Sequence, residues 1–252
     1  MLKTRIIPTV LYRNYGLVKG VSFDSWRHVG SPMQAVKVYN LRQVDELIFL
    51  DIMATREGRS PEFDLIDDLA DECFMPLAVG GGIRSLDDAH HLLNVGADKV
   101  AVNSAAVCNP NLICEIAGKF GSQCLVVSLD VRKASCGSYE VFIHSGTKTT
   151  GMDPIEFAKK AEKLGAGEIL LTSIERDGTM LGYDLDLIKA VSSAVSIPVI
   201  ASGGAGNYDH MASAITDGGA SAVAAASIFH FTQCTPLEAK HFLHKQGIAV
   251  RL

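Results

Sequence analysis

One stretch of this chain occurs twice. Residues 75–107 read MPLAVGGGIRSLDDAHHLLNVGADKVAVNSAAV, and residues 197–229 read IPVIASGGAGNYDHMASAITDGGASAVAAASIF. Gly81-Gly82 precedes Gly203-Gly204 by 122 positions and Asn103-Ser104 precedes Ala226-Ser227 by 123, so one residue is inserted between them. A weaker echo relates residues 45–50 to residues 167–172, again 122 apart. A shift of half the chain length means two copies of a half-domain, each ending buried strands in glycines and small residues. Backbone N–H groups at such strand ends close on anions, and a helix starting there adds its positive end. Two copies predict two anion sites on one face. The ligand that fits is a long molecule with a phosphate at each end.

The rest of the chain is consistent with one domain built this way. Short β-branched apolar runs at 5–11, 46–51, 76–80, 99–103, 124–130, 168–173, 198–202 and 222–226 alternate with amphipathic stretches. Runs this apolar suit parallel strands covered on both faces. Ser31-Pro32, Ser60-Pro61, Asn109-Pro110 and Asp153-Pro154 each set a capping side chain before a proline at the first helical position. Ser85 with Asp88 outlines a capping box. Eight strand–helix units in strict alternation predict an α/β fold, a single (β/α)8 TIM barrel over residues 1–252, assembled from two four-unit halves. A doubly wound open sheet is the alternative, but it would not repeat two-fold.

Composition excludes several classes. A formal charge of −5 argues against nucleic acid and anionic membranes as partners. No apolar run approaches the ~20 residues of a membrane span, and the start MLKTRIIPTV enters a strand without a signal-peptide core, so a cytoplasmic protein is expected. Cys73, Cys108, Cys114, Cys124, Cys136 and Cys234 form no C-x-x-C pair and are expected to be buried free thiols. Of the eight histidines, only His241 and His244 could share a helix face, short of the ligands a zinc site needs. No metal and no cofactor are expected.

In a barrel of this kind, chemistry sits where strands end. The polar strand-end residues are Asp51, Asn103, Asp130, Thr172 and Ser173, with Asp177 in the following ERDGT loop. Asp130 ends LVVSLD and should project between the two anion sites, where a carboxylate can move a proton at the middle of a bisphosphate. The bland alternative is a structural aspartate pairing with Arg132 or a loop amide. Asp51 and Asp177 serve a ligand or cap the loops that follow them. Lys19, in the long segment 12–30, either clamps a ligand oxyanion or is a solvated lysine. That segment, and segment 131–151 with its hairpin-like SYEVFIHSGTKTTG, are long enough to be lids or binding loops. When the halves are superposed, Leu11 takes the position of Asp130, so the mouth has one aspartate where a pair would face each other. At the other strand ends, Arg5, Glu46, Lys99 and Glu168 alternate in sign. They are either solvated ends or a ring of ion pairs closing the barrel bottom, with Asp98 and Gln123 beside it.

These motifs closely resemble the cyclase subunit of imidazole glycerol phosphate synthase (HisF type) over nearly the whole chain: RIIP at 5–8, LVKG at 17–20, DELIFLDI at 45–52, VGGGIR at 79–84, GADKVAVNSAA at 96–106, FGSQ at 120–123, GAGEILLTSIERDGT at 165–179, PVIASGGAG at 198–206 and AASIFHF at 225–231. The resemblance implies ammonia made by a HisH-like glutaminase docked at the barrel bottom. It implies passage up the barrel to a mouth where a bisphosphate nucleotide is converted to imidazole glycerol phosphate. The family's gate falls on Arg5, Glu46, Lys99 and Glu168, and its partner contacts on Asp98 and Gln123. Its phosphate sites fall on Gly82, Asn103 and Ser104, and on Gly204, Ala226 and Ser227.

One position departs from that family. The first of its two catalytic aspartates falls on Leu11, in PTVLYRNYG. Losing a general acid or base costs about 10²–10⁴-fold in rate, or about 3–5 kcal/mol of barrier. This pattern is similar to HisF-like paralogues of surface-polysaccharide gene sets, which supply ammonia for acetamidino sugars through a separate sugar amidotransferase. A genuine histidine-pathway cyclase, a single-chain sugar-phosphate isomerase and a non-catalytic scaffold for the glutaminase are the other readings. A charged ring at the bottom favours the glutaminase-linked ones, since an isomerase needs no ammonia gate.

Overall fold

The computed structural model describes residues 3–134 and 137–252. The first half runs β1 (Arg5–Arg13), β2 (Gly16–Val21), β3 (Asp24–Gly30), α1 (Pro32–Leu41), β4 (Leu47–Asp51), α2 (Ala54–Glu57), α3 (Phe63–Glu72), β5 (Leu77–Gly80), α4 (Leu86–Asn94), β6 (Lys99–Val102), α5 (Ser104–Cys108) and α6 (Asn111–Phe120). The second half runs β7 (Leu125–Lys133), β8 (Tyr139–Ile143), β9 (Lys148–Thr149), α7 (Pro154–Lys163), β10 (Glu168–Ser173), α8 (Leu185–Ser192), β11 (Val199–Ser202), α9 (Tyr208–Thr216), β12 (Ala222–Ala225), α10 (Ser227–Phe231) and α11 (Pro236–Lys245).

Strands β1, β4, β5, β6, β7, β10, β11 and β12 pair in that order, each parallel to the next, and β12 returns to β1. The sheet is therefore closed, a (β/α)8 barrel, and the open-sheet alternative falls. Two residue sets alternate along each strand, as the pleat requires. Outward side chains such as Ile6, Val10, Leu47, Val79 and Val127 join the helices in one core. Inward ones fill the lumen: Ile7, Ile48, Val126, Leu170 and Ile200, with alanines at 78, 101, 222 and 224. Fully burying such an aliphatic side chain contributes roughly 1.5–3 kcal/mol, so packing of the lumen stabilises the closed barrel and keeps charged groups out of it.

The half-length repeat shows in the backbone as well. Strands β1 and β7 each run past the barrel rim and turn into an antiparallel partner, pairing Leu11 with Val18 and Asp130 with Phe142. Segment 12–30 is thus a β-hairpin, β2–β3, and the second long segment holds the hairpin β8–β9. Both stand over the same end of the barrel.

Helix starts follow their capping chemistry at Ser31, which accepts from the Gln34 amide, and at Asp153, which accepts from Ile155 and Glu156. Ser85 and Asp88 close a capping box. Ser60-Pro61 begins no helix: α3 starts at Phe63 behind Glu62. Asn109 sits one residue outside the α6 cap, which is Pro110. Thr235 and Glu238 form a second capping box that the proline-based pattern did not single out.

The expectation of buried thiols is corrected. Cys108 and Cys114 are exposed, and Cys73, Cys124 and Cys234 are half-buried. Helix periodicity explains Cys114, which falls off the face of α6 that carries Leu112, Ile113 and Ile116 inward, and Cys108 is the last residue of α5. Cys136 lies outside the described residues. Among the described residues no helix is long and apolar enough to cross a membrane.

Candidate functional site

The C-terminal strand ends and the two hairpins enclose a cavity of about 510 Å³, within the range of small-molecule sites. Lys19, Asp51, Gly82, Asn103, Ser104, Asp130, Thr172, Asp177, Gly204, Ala226 and Ser227 all line it, so the mouth residues expected from sequence are brought together. Neighbouring strands bring the glycine turns beside the small residues. In the first half β5 and β6 set Gly81-Gly82 next to Asn103-Ser104, and in the second β11 and β12 set Gly203-Gly204 next to Ala226-Ser227.

Glycine is required at these turns. Gly81 has φ +102° and Gly204 φ +110°, a region L side chains rarely adopt. A Cβ on Gly81 would run into the Asp51 carbonyl, and one on Gly204 into the Gly182 carbonyl.

The three carboxylates of the mouth have different surroundings. Asp51 receives Arg59 at 2.6 and 3.0 Å and accepts the Met53 and Ala54 amides at 3.0 Å each. It is held as a buried loop cap with a counter-ion and also lines the cavity. Asp177 is clasped by Lys19 Nζ at 2.7 and 2.8 Å. Lys19 is 2 % exposed, so it is no solvated lysine. Its ammonium is already neutralised by Asp177. Among the described residues no cation pairs with Asp130. Its Oδ2 accepts 2.9 Å from Asn103 Nδ2, while Arg132 lies over the Phe142 ring instead. Burial among protein atoms and then the Asp177 charge push the Asp130 carboxyl up to about 7, with the Asn103 hydrogen bond pulling the other way. A carboxyl poised there gives or takes a proton near neutral pH. Leu11, from the equivalent position on β1, adds a hydrocarbon wall to the same cavity.

Both hairpin tips fold across this mouth. The Ser22 amide donates to the Asp177 carbonyl at 2.8 Å. On the other side, the His144 amide donates to Ser104 Oγ at 2.9 Å and Ser145 Oγ to the Ile52 carbonyl at 2.8 Å. Phe23 and Trp26 from β2–β3 complete the wall. His144, Ser145, Arg59 and Arg84 were not singled out from sequence. Arg84 carried a signal, because its counterpart in the second repeat is Gly206, so only one half has a cation there.

At the opposite end, Arg5 Nη1 reaches Glu46 at 2.6 Å and Glu168 at 3.1 Å. Lys99 Nζ reaches Glu46 at 2.9 Å and Glu168 at 3.1 Å. The four strand-end charges form a closed ring of alternating sign, with Glu46 only 2 % exposed. Solvated strand ends do not describe them. Asp98 is exposed beside the ring and holds the Leu77 amide through Oδ2 at 2.8 Å. Gln123 is exposed and donates to the Phe120 carbonyl at 3.1 Å.

This barrel has two glycine turns at its mouth, a carboxyl without a counter-ion among the described residues between them, and a charged ring beneath. Residues 5–235 match the family described as "Histidine biosynthesis protein".

Proposed function

The chain belongs to the histidine biosynthesis protein family, and from that premise we propose that it is a HisF-type synthase subunit fed with ammonia by a HisH-like glutaminase. The glutaminase docks at the barrel bottom around the ring of Arg5, Glu46, Lys99 and Glu168, with Asp98 and Gln123 at its edge. Ammonia, as the uncharged molecule, passes the ring and the apolar lumen, lined by aliphatic side chains and four alanines, to the mouth. There a phosphorylated ligand lies between Gly82, Asn103 and Ser104 at one end and Gly204, Ala226 and Ser227 at the other. The pathway is acetamidino-sugar or lipopolysaccharide synthesis, in which nitrogen is passed on through a separate sugar amidotransferase.

One observation carries this choice. Of the three mouth carboxylates, two are neutralised by Arg59 and Lys19, and Asp130 alone is left to move protons, with Leu11 where its counterpart would stand. A ring closure and ring-opening reaction that draws on two proton carriers is short of one here. The second reading, a genuine cyclase of histidine synthesis, is favoured by the poise of Asp130 itself, which suits a single residue acting first as base and then as acid.

The deciding experiment assays the wild-type chain with its glutaminase on the histidine-pathway bisphosphate nucleotide. The paralogue reading expects a rate at least about 10²-fold below that of a two-aspartate cyclase. Robust turnover with Leu11 in place would show that Asp130 suffices and would overturn it.

A further inference from the structure

The two anion seats are built from equivalent positions but are wired differently. In the second seat, Ser227 Oγ is buried and meets no hydrogen-bond partner among the described residues. Its proton is free for whatever enters. In the first seat the corresponding serine hydroxyl is engaged on both sides, and the Gly82 amide and the Asn103 side chain have partners as well. The Gly82 amide donates to Thr55 Oγ1 at 3.3 Å, Ser104 Oγ accepts from the His144 amide at 2.9 Å, and Ser104 Oγ donates to Asn103 Oδ1 at 3.3 Å. Asn103 in turn donates from Nδ2 to Asp130 at 2.9 Å. The second half has Ala226 where the first has Asn103, so it has no such chain.

A hydroxyl has one proton and two lone pairs. A phosphate dianion only accepts, so to bind it Ser104 must withdraw its proton from Asn103 Oδ1. Asn103 then loses the contact that orients its amide toward Asp130. Ser227 faces no such choice.

We propose that the seats have different tasks: the Gly204–Ser227 seat anchors the ligand, and Ser104 in the other seat is a positioning residue that signals phosphate arrival to Asp130 through Asn103. The inference rests on the reading of both strand-end turns as anion seats. It adds that the serine of one seat shares its proton between the ligand and the residue holding the proton-transfer carboxylate. The charged and titratable groups that share the cavity with Asp130 are Asp177 with its partner Lys19, Asp51 with its partner Arg59, Arg84 at the first seat, His144 on the β8–β9 tip and Cys108 at the rim. None of them lies in the Ser104–Asn103–Asp130 chain through a side chain, since His144 enters it by its backbone amide.

The test follows the Asp130 carboxyl directly, by carbon-13 NMR of aspartate-labelled protein, with the resonance assigned from Asp130→Asn. Wild type, Ser104→Ala and Ser104→Thr are titrated with pH in the absence of phosphate and at saturating inorganic phosphate. Seat occupancy is read from crystals soaked in the same phosphate. Without phosphate, Ser104→Ala is expected to bind the Asp130 proton about fivefold more tightly than wild type, because Asn103 no longer holds the ionised form. Ser104→Thr keeps the hydroxyl and is expected to match wild type. In wild type, filling the first seat should raise Asp130 proton affinity by at least the same factor, since the dianion adds its own field. An unmoved Asp130 midpoint in phosphate-free Ser104→Ala overturns the link, as does an unmoved wild-type midpoint with both seats filled. If neither seat fills, the two-seat reading fails by itself, and the phosphate-free comparison still decides whether Ser104 acts on Asp130.

Discussion

At the scale of single residues, the fold sets Asp130 apart by pairing it with no cation among the described residues. A carboxyl whose proton affinity is raised in the fold contributes stability below the unfolded value near 4, and that contribution is lost as pH climbs to about 7. The stability of wild type relative to Asp130→Asn should therefore fall between about pH 4 and 7 and level off above, while His230, held down to about 4 by burial, acts with the opposite sign in both proteins alike. Asp130→Asn lacks the titration and should be more stable than wild type at pH 8, by about 2 kcal/mol once the part of Asp130 that faces the cavity is discounted. Urea unfolding of both proteins at pH 4.5, 6 and 8 checks this, and parallel curves would contradict it. A second prediction concerns Gly204. Alanine there keeps the unfavourable φ and drives its Cβ onto the Gly182 carbonyl, so Gly204→Ala should cost about 1–3 kcal/mol. It should also remove phosphate from the second seat alone in soaked crystals. Residue identity made Asp130 and the glycine seats legible in sequence. The partners of Asp51 and Asp177 were not, because Arg59 lies on a neighbouring loop and Lys19 comes from a hairpin 158 residues away from its acid.

At the scale of elements, strand ends carry the charges and hairpins carry the lids. Arg5, Glu46, Lys99 and Glu168 form the bottom layer of the lumen, so their ring is stabilised by mutual attraction and penalised by lost hydration. Removing one member leaves an uncompensated charge. Glu46→Gln should cost about 3 kcal/mol, measured by urea unfolding. Replacing Lys99 and Glu168 together by methionine leaves the Arg5–Glu46 pair intact and should stay within about 1 kcal/mol of wild type. Equal losses in the two variants would show that hydrogen bonding, and not charge balance, holds the ring. Alternating sign at the starts of four strands was readable from sequence, but its meaning depended on barrel closure, which brings β1, β4, β6 and β10 to one rim. The hairpins were half-legible. Segment 131–151 shows alternation flanking a Ser-Gly turn, whereas β3 (Asp24–Gly30) is largely exposed and polar and reads as loop. Helix α3 was misplaced because Ser60-Pro61 has the look of a cap, while the chain instead carries Ser60 to the Arg84 side chain.

At the scale of the whole molecule, the repeat closes the barrel and gives it two unlike ends, a cavity at the mouth and a charged ring at the bottom. The mouth is covered by both hairpins, and the outer wall is formed by helices that turn most of their apolar side chains to the core. The face proposed for the glutaminase is the barrel bottom, at the ring of Arg5, Glu46, Lys99 and Glu168. Asp98 lies there with a double role, because its carboxylate both projects charge and holds the Leu77 amide at the start of β5. Charge reversal alone would confuse the two. Asp98→Asn keeps an oxygen to accept from Leu77 and removes only the charge, so thermal unfolding should match wild type. Its association rate with a HisH-like glutaminase should fall by up to about tenfold at low salt, since rim charges act mainly on encounter. Asp98→Lys should weaken the complex further by repulsion and by loss of the Leu77 contact. Surface plasmon resonance at two ionic strengths separates the effects, because the Asn variant should converge on wild type as salt rises. Wild-type affinity and rate for both variants would place the glutaminase elsewhere on the barrel and leave the ring without the partner that gives it a purpose.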